Sequence, residues 1–409
     1  MKTIAIIGAG AAGCFCAIEC ARRYPDAAVT VYEAGRVPLA KVAVTGGGRC
    51  NFTNSFEQVD SLKDVYPRGT QLMKRALKTF DHEDVMRWFA DEGVPCVIQD
   101  DCCVFPRSQD AMQIVRTLER LMRELGVKVE CGRRLTRITE DLSLEFREGP
   151  AVRADRVVLT AGGTSAAVLR QMLPECIVVE DTVPSLFTLK IPDEGIHSLM
   201  GAVVEDAVLS LAGTPWRSSG ALLLTDWGVS GPATLKLSSY AARYLAERQY
   251  KAELLVNWTG LKEGEVRGWL SEAASSNQQK KVSSVHPDGL TDRLWKHICQ
   301  RAGLREDIRW AELGSKGANR LVSVLTADSY PVDGRAKFKE EFVTCGGVSL
   351  QSINPATLES KNLPGLFFAG EVLDIDAVTG GFNLQAAWTT GYICAVSLMS
   401  REEAPTLKV

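Results

Sequence analysis

Histidine is scarce in this chain. The four present, His82, His197, His286 and His297, are too widely spaced to form a metal-ligand set or a Ser-His-Asp triad. No metal is therefore expected. Twelve cysteines occur, but none in a C-x-x-C spacing, which excludes dithiol–disulfide exchange chemistry. A chain of 44.5 kDa needs no disulfide staples, so these residues read as reduced thiols in a cytoplasmic protein. Met1 runs straight into the first strand, which leaves no room for a signal peptide. No apolar run is long enough to span a bilayer, so no membrane partner is expected. Repeats and low-complexity stretches are absent. The net charge of −3 exerts no global pull toward nucleic acid, so any basic contact surface must be local. What remains is a globular composition, 45% hydrophobic and 24% charged, in a length that predicts two or three domains.

The strongest feature present is at the start of the chain. Thr3 to Ile7 reads as a buried strand, Ala11 to Arg23 as a helix of small residues, and Ala28 to Tyr32 as a second strand. Between the first two lies Gly8-Ala-Gly10-Ala-Ala-Gly13, and Glu33 closes the second strand. Gly8 permits a tight turn, Gly10 lets the backbone approach a pyrophosphate, and Gly13 lets the helix lie against the sheet. The helix N-terminus presents free N–H groups to phosphate, and Glu33 is placed to accept hydrogen bonds from a ribose. The unit is built to bind a dinucleotide.

Beyond it, Lys41 precedes the dense loop Thr45-Gly-Gly-Gly-Arg-Cys-Asn-Phe-Thr-Asn54, suited to wrapping closely around an anionic ligand. Residues 62–92 carry one helical stripe, and 109–124 another. Residues 127–131, 135–139 and 144–147 predict a meander of short strands, and 156–160 a buried strand ending in Ala161-Gly162-Gly163. From Pro184 the pattern becomes strands at 186–191, 202–211, 220–225 and 253–257, then helices at 263–274, 290–302 and 317–326. Strand character resumes at Phe342; Gly365 to Glu371 reads as a buried parallel strand, and Gly380-Gly-Phe-Asn383 opens a last helix to about Met399. A nucleotide-binding domain is thus interrupted by an insertion of roughly 150 residues, one domain's worth.

Determinants at both ends of the chain point to FAD, which is larger than a nicotinamide dinucleotide and needs a second glycine–acid element, here Ala369-Gly370-Glu371. The helix near Asn383 would direct its positive end at the flavin edge that gains negative charge on reduction. Four segments, 4–13 (IAIIGAGAAG), 41–54 (K…TGGGRCNFTN), 228–232 (GVSGP) and 345–391 (CGGVSLQ…GEVLDIDAVTGGFN…TTG), resemble the HI0933-like bacterial flavoproteins, also called YhiN-type and including BaiN-type proteins. The resemblance implies an α/β fold: a split, GR2-like Rossmann FAD domain (1–185 and 345–409), an inserted β-barrel-like domain (186–258 and 331–344), and a small helical domain (259–330). It implies FAD contacts from Gly8, Gly10, Gly13, Glu33, Lys41, Gly48, Arg49, Gly370, Glu371, Gly381 and Asn383. Ala12, Gly47, Cys50, Leu135, Ala161, Gly162, Asp374, Gly380 and Phe382 complete the expected set. Two positions depart from the family pattern. Asp226 stands where a histidine is usual before the G-x-S-G-P turn, and Ala377 where glycine is common.

With no dithiol and no second GxGxxG, NAD(P)H is expected to dock transiently as electron donor, hydride passing by way of the flavin to an electron-poor double bond. Cys50 is the candidate general acid or substrate-contacting thiol, because Arg49 beside it would lower its pKa. Asp226 is a second candidate acid, equally readable as a turn residue. Asp374 and Asp376 suit hydrogen bonds to the ribityl chain or loop backbone. Family resemblance divides the acceptor between uridine in large-subunit ribosomal RNA, reduced to dihydrouridine, and a steroid or bile-acid enone. Two basic clusters admit the RNA reading: Arg133, Arg134 and Arg137; and Lys280 and Lys281 with Arg293, Lys296, Arg301, Arg305 and Arg309. An amine oxidase acting on an aminoketone and a flavin-binding protein without turnover are the other function classes. Oligomeric state is not specified by the sequence.

Overall fold

The computed structural model describes residues 2–336 and 343–399. Met1, the expected strand start at Phe342 with the rest of 337–342, and the tail 400–409 lie outside the described residues. The chain divides into two compact units, Met1–Val183 with Val343–Val409, and Pro184–Phe342.

The first unit is built on a five-stranded parallel sheet. Its strands are β1 (Thr3–Ile7), β2 (Ala28–Glu33), β3 (Lys128–Cys131), β4 (Arg156–Leu159) and β5 (Leu366–Phe368), in the order β5-β4-β1-β2-β3. The central strands are apolar runs buried on both faces, as parallel sheets require: Ile4, Ile6, Val31, Val157, Val158 and Leu159 are all buried. Helix α1 (Ala11–Arg23) follows β1, α2 (Ala40–Gly48) follows β2, and α3 (Phe382–Ser397) returns across α1. The crossing is close because Gly391 faces the Ala12 carbonyl, where a Cβ would come within 2.8 Å. An aromatic cluster of Phe15, Phe80, Trp88, Phe89 and Trp388 fills the space beside it.

Two expectations change here. Lys128–Cys131 leaves the anticipated meander to pair in parallel with β2, and only 135–138, 143–146 and 152–153 form the separate antiparallel sheet. The single helical stripe over 62–92 is three helices, Leu62–Val65, Thr70–Ala76 and His82–Asp91. It is broken at Pro67-Arg68-Gly69, where Gly69 adopts φ +75°, and restarted by an Asp81 capping box.

In the second unit a six-stranded antiparallel sheet runs Leu189–Lys190, Gly228–Ser230, Arg217–Thr225, Val203–Leu211, Lys251–Asn257, Asp328–Asp333. Its edges meet through a Leu189–Arg335 bridge and the Lys190 N–H to Gly334 carbonyl bond at 3.0 Å, giving a near-closed barrel. Helices Glu263–Ser276, Asp292–Arg301 and Gly314–Ala327 share one continuous core with that barrel. The helical segment anticipated as a domain of its own over 259–330 is therefore part of the barrel's unit. Among the described residues no helix is long and apolar enough to cross a membrane.

Candidate active site

The glycine loop after β1 adopts the geometry a dinucleotide requires. Gly8 has φ +107° and lies so near the Thr160 carbonyl that a Cβ would approach it to 2.5 Å. A Cβ on Gly13 would meet the Gly8 carbonyl at 1.9 Å, so only glycine lets α1 sit this low on the sheet. Thr160 braces the loop, its hydroxyl donating to the carbonyls of Ile7 and Gly8 at 2.9 Å. Gly10 differs from both. Its φ of −87° suits any residue and its Cβ position faces open space, yet it caps α1 with no side chain. Protein packing gives no reason for glycine there; a pyrophosphate lying against the backbone does. The Glu33 carboxylate accepts from Ala9 N–H at 2.7 Å and Gly35 N–H at 2.6 Å, which holds it beside the loop with lone pairs to spare for a ribose.

Opposite this loop, Ala161-Gly162-Gly163 and Gly370-Glu371 converge. Gly370, at φ +75°, lies against Ala12, and Glu371 accepts from Thr344 N–H at 2.9 Å. A Cβ on Gly163 would meet the Glu371 carboxylate at 2.7 Å. The exposed Lys41 ammonium stands 3.6 Å from the same carboxylate, tying α2 to the far end of the chain. Leu135 is buried in its antiparallel strand.

The Thr45–Asn54 loop is the second cradle. Gly46, Gly47 and Gly48 all adopt positive φ (+57°, +67° and +82°), and the Cβ positions of Gly47 and Gly48 face open space. The loop packs on the start of α3. Asn54 donates to the Gly380 carbonyl at 3.0 Å, Trp388 Nε1 donates to the Phe52 carbonyl at 2.9 Å, and a Cβ on Gly381 would overlap the Thr53 carbonyl at 2.2 Å. Phe382 is buried edge-on to Phe56, and its carbonyl accepts from Tyr66. Asn383 directs its amide to the backbone of Ala377, so its side chain shapes the loop before α3. That use needs only the Ala377 backbone, which accommodates alanine in place of the usual glycine. The Asp374 N–H donates to the Val348 carbonyl at 3.0 Å.

Cys50 departs from its expected chemistry. Its side chain is fully buried at φ +59°, and burial pushes the thiol up to about 11. Arg49 does not lower it: the guanidinium lies over the Phe105 ring, 4.4 Å from its centroid. At neutral pH Cys50 is a protonated thiol and not a thiolate. Asp226 belongs to the second unit, exposed in the turn between Arg217–Thr225 and Gly228–Ser230. Of the two basic clusters, Arg133, Arg301 and Arg305 are engaged with Glu130, Asp328 and Glu312, Arg309 bonds Gln279, and Arg293 bonds the Ser198 carbonyl.

One pair escaped the sequence. Arg68, largely buried, binds both oxygens of the fully buried Asp376 through Nε and Nη2. It anchors the 374–378 loop ahead of α3. The signal available was Asp376 itself, an acid in an apolar loop that required a cation.

The family described as HI0933-like protein Rossmann domain matches residues 2–397. The chain belongs to the HI0933-like family. Two curated relatives span nearly all of it. The 3-dehydro-bile acid delta(4,6)-reductase of Clostridium scindens is 27% identical, covering 98% of this chain and 100% of its own. The ribosomal RNA dihydrouridine synthase of Escherichia coli is 29% identical, covering 98% of both. Among solved structures, 3-ketosteroid delta1-dehydrogenase from Sterolibacterium denitrificans superposes with a TM-score of 0.50 at 12% identity, over 98% of this chain and 100% of that one. That last likeness shows the fold alone. This HI0933-like protein is an FAD-dependent oxidoreductase, and its open glycine positions at Gly10, Gly47 and Gly48 fit the cofactor.

Proposed function

We propose that the protein takes electrons from NAD(P)H and saturates a carbon–carbon double bond conjugated to a carbonyl, with uridine in large-subunit ribosomal RNA as substrate. One observation carries the reading. Two relatives matched over nearly their whole lengths differ in the substrate their names give, yet both names describe reduction of such a bond. The bile-acid name supports a small enone as the second reading.

FAD, when bound, supplies hydride transfer between the nicotinamide and the acceptor. The chain supplies the binding groups. The free N–H groups at the start of α1 hold the pyrophosphate, and Glu33 holds the ribose. The side-chain-free start of α3 at Gly381 favours negative charge nearby. Water supplies the proton that completes the saturation; the Cys50 thiol, fully buried, keeps its own. Overall the acceptor gains a hydride and a proton while NAD(P)H is oxidised. The twelve free thiols support placement in the cytoplasm, where such RNA resides.

Mass mapping of ribosomal RNA from a strain lacking the gene tests the substrate: one dihydrouridine disappears, and an unchanged map removes the RNA reading. Stopped-flow mixing tests the donor. NADH or NADPH bleaches the bound flavin; bleaching by an amine alone would make the protein an oxidase and overturn the proposal.

A further inference from the structure

The first unit carries a cationic hollow that no sequence motif marks. A hollow of about 730 Å³, open to solvent, is lined by Lys74, Arg75 and Lys78 together with Leu72, Leu350 and Ile353. Its volume falls within the range of ligand clefts, about 300–1,000 Å³, and far exceeds what a single inorganic ion needs. Among the described residues no acidic side chain lines it. Among the described residues, none of the three cations makes a side-chain hydrogen bond or ion pair. In this they differ from Arg301, Arg305 and Arg133, whose charges are met by acids. Three unneutralised cations around one hollow attract an anion carrying several charges, and the apolar lining residues accept the non-ionic face of the same ligand. Lys74 and Arg75 lie on the short helix Thr70–Ala76 and Lys78 just past its end, and only Gly69 separates that helix from Arg68, the anchor of the loop before α3. The hollow is therefore coupled in sequence to the cofactor loops without sharing a residue with them.

We propose that this hollow is the docking site for the phosphodiester backbone of the RNA substrate, with Lys74, Arg75 and Lys78 as its phosphate contacts. The inference rests on the RNA reading above and gives it a surface. Such contacts position a nucleic acid without reading its sequence, so a mixed-sequence RNA stem-loop serves as the probe.

The test compares the FAD-loaded protein with two variants of equal charge change, K74Q/R75Q/K78Q and K280Q/K281Q/K296Q. Fluorescence anisotropy with a labelled stem-loop is read from about 50 to 200 mM salt, the span over which phosphate contacts are strongly screened. The first variant is expected to bind at least tenfold more weakly and to flatten the log–log salt slope by about 2 to 3, roughly one per lost contact. The second is expected to bind nearly as the parent does. Flavin content and the rate of flavin reduction by NAD(P)H stay at parental values in both, which separates lost docking from lost fold. Equal weakening in the two variants would reduce the effect to net charge and overturn the proposal. So would unchanged RNA binding with a raised KM for NADPH and not NADH, which would assign the cations to the donor's 2′-phosphate. Should the hollow bind RNA while the mapped ribosomal RNA keeps every dihydrouridine, the substrate reading falls and the docking site stands.

Discussion

Two polar regions of this protein are assembled in opposite ways. In the first unit the dinucleotide loops leave groups unmet: α1 begins without a side-chain cap, and Gly10, Gly47 and Gly48 face empty space. In the second unit the buried Asp328 meets every neighbour. It accepts from Tyr330 at 2.6 Å, from Trp258 Nε1 at 3.1 Å and from Arg301 at 2.6 Å, while His297 lies 3.1 Å from the Tyr330 hydroxyl. Burial and Asp328 push the Tyr330 hydroxyl well above the usual range, and burial holds His297 down despite the nearby carboxylates. A closed network of this kind holds strand Asp328–Asp333 to helix Asp292–Arg301. An open one waits for a ligand. The contrast separates structure from function more sharply than residue type does, since both regions are rich in chemically capable groups.

Substitutions can break the comparison in order of cost. Asp328→Ala leaves Arg301, Tyr330 and Trp258 without their shared acceptor, and about 3 kcal/mol of unfolding free energy is expected to be lost in urea titration. Flavin content of the folded fraction should be unaffected, and a loss of flavin would show that the network serves the site. Gly13→Ala forces α1 away from the Gly8 carbonyl; about 1–3 kcal/mol is expected to go, with flavin lost as well. Parental stability and flavin content together would contradict the close packing described.

A pH series separates the two kinds of burial. The Cys50 thiol is raised from 9.0 to about 11, so below pH 9 both folded and unfolded chains hold the proton and stability is whole. Between pH 9 and 11 the unfolded chain releases it first, and stability falls as pH rises. At pH 10 the Cys50→Ala variant should have lost about 1.4 kcal/mol less than the parent relative to pH 8. An identical pH dependence would show that Cys50 is not buried as a thiol. Gly10→Ala is the mildest for the fold: stability of the flavin-free protein should change by no more than about 0.5 kcal/mol. Flavin affinity should fall at least tenfold, as measured by fluorescence titration. An unchanged Kd would mean that the space beside Gly10 does not hold the cofactor.

The first dinucleotide loop was legible because its determinants are local: Gly8, Gly10, Gly13 and Glu33 fall within one strand–helix–strand unit, where spacing alone sets geometry. The second glycine–acid element and the start of α3 were legible for the same reason. Pairings over long separations were not. Nothing near residue 128 marks Lys128–Cys131 for the parallel sheet, and nothing near Arg68 names Asp376 as its partner some 300 residues on. Arg301 reads as surface charge until the buried Asp328 is seen beside it. Cys50 shows the converse. Its neighbour in sequence suggested a lowered pKa, but its neighbours in space, which bury it, raise it.

Gly391 against Ala12, and Gly381 against the Thr53 carbonyl, bring together parts of the chain made far apart in time. At about 5–20 residues per second, a ribosome that has just made Gly8 needs roughly 20 to 75 s more to reach Gly381. The two ends of the chain cannot pack together before then, although the first strand, helix and second strand are already complete. Packing of the two ends is thus a late event in biogenesis, and the emerging chain must keep an unfinished, largely apolar sheet from aggregating in the interval.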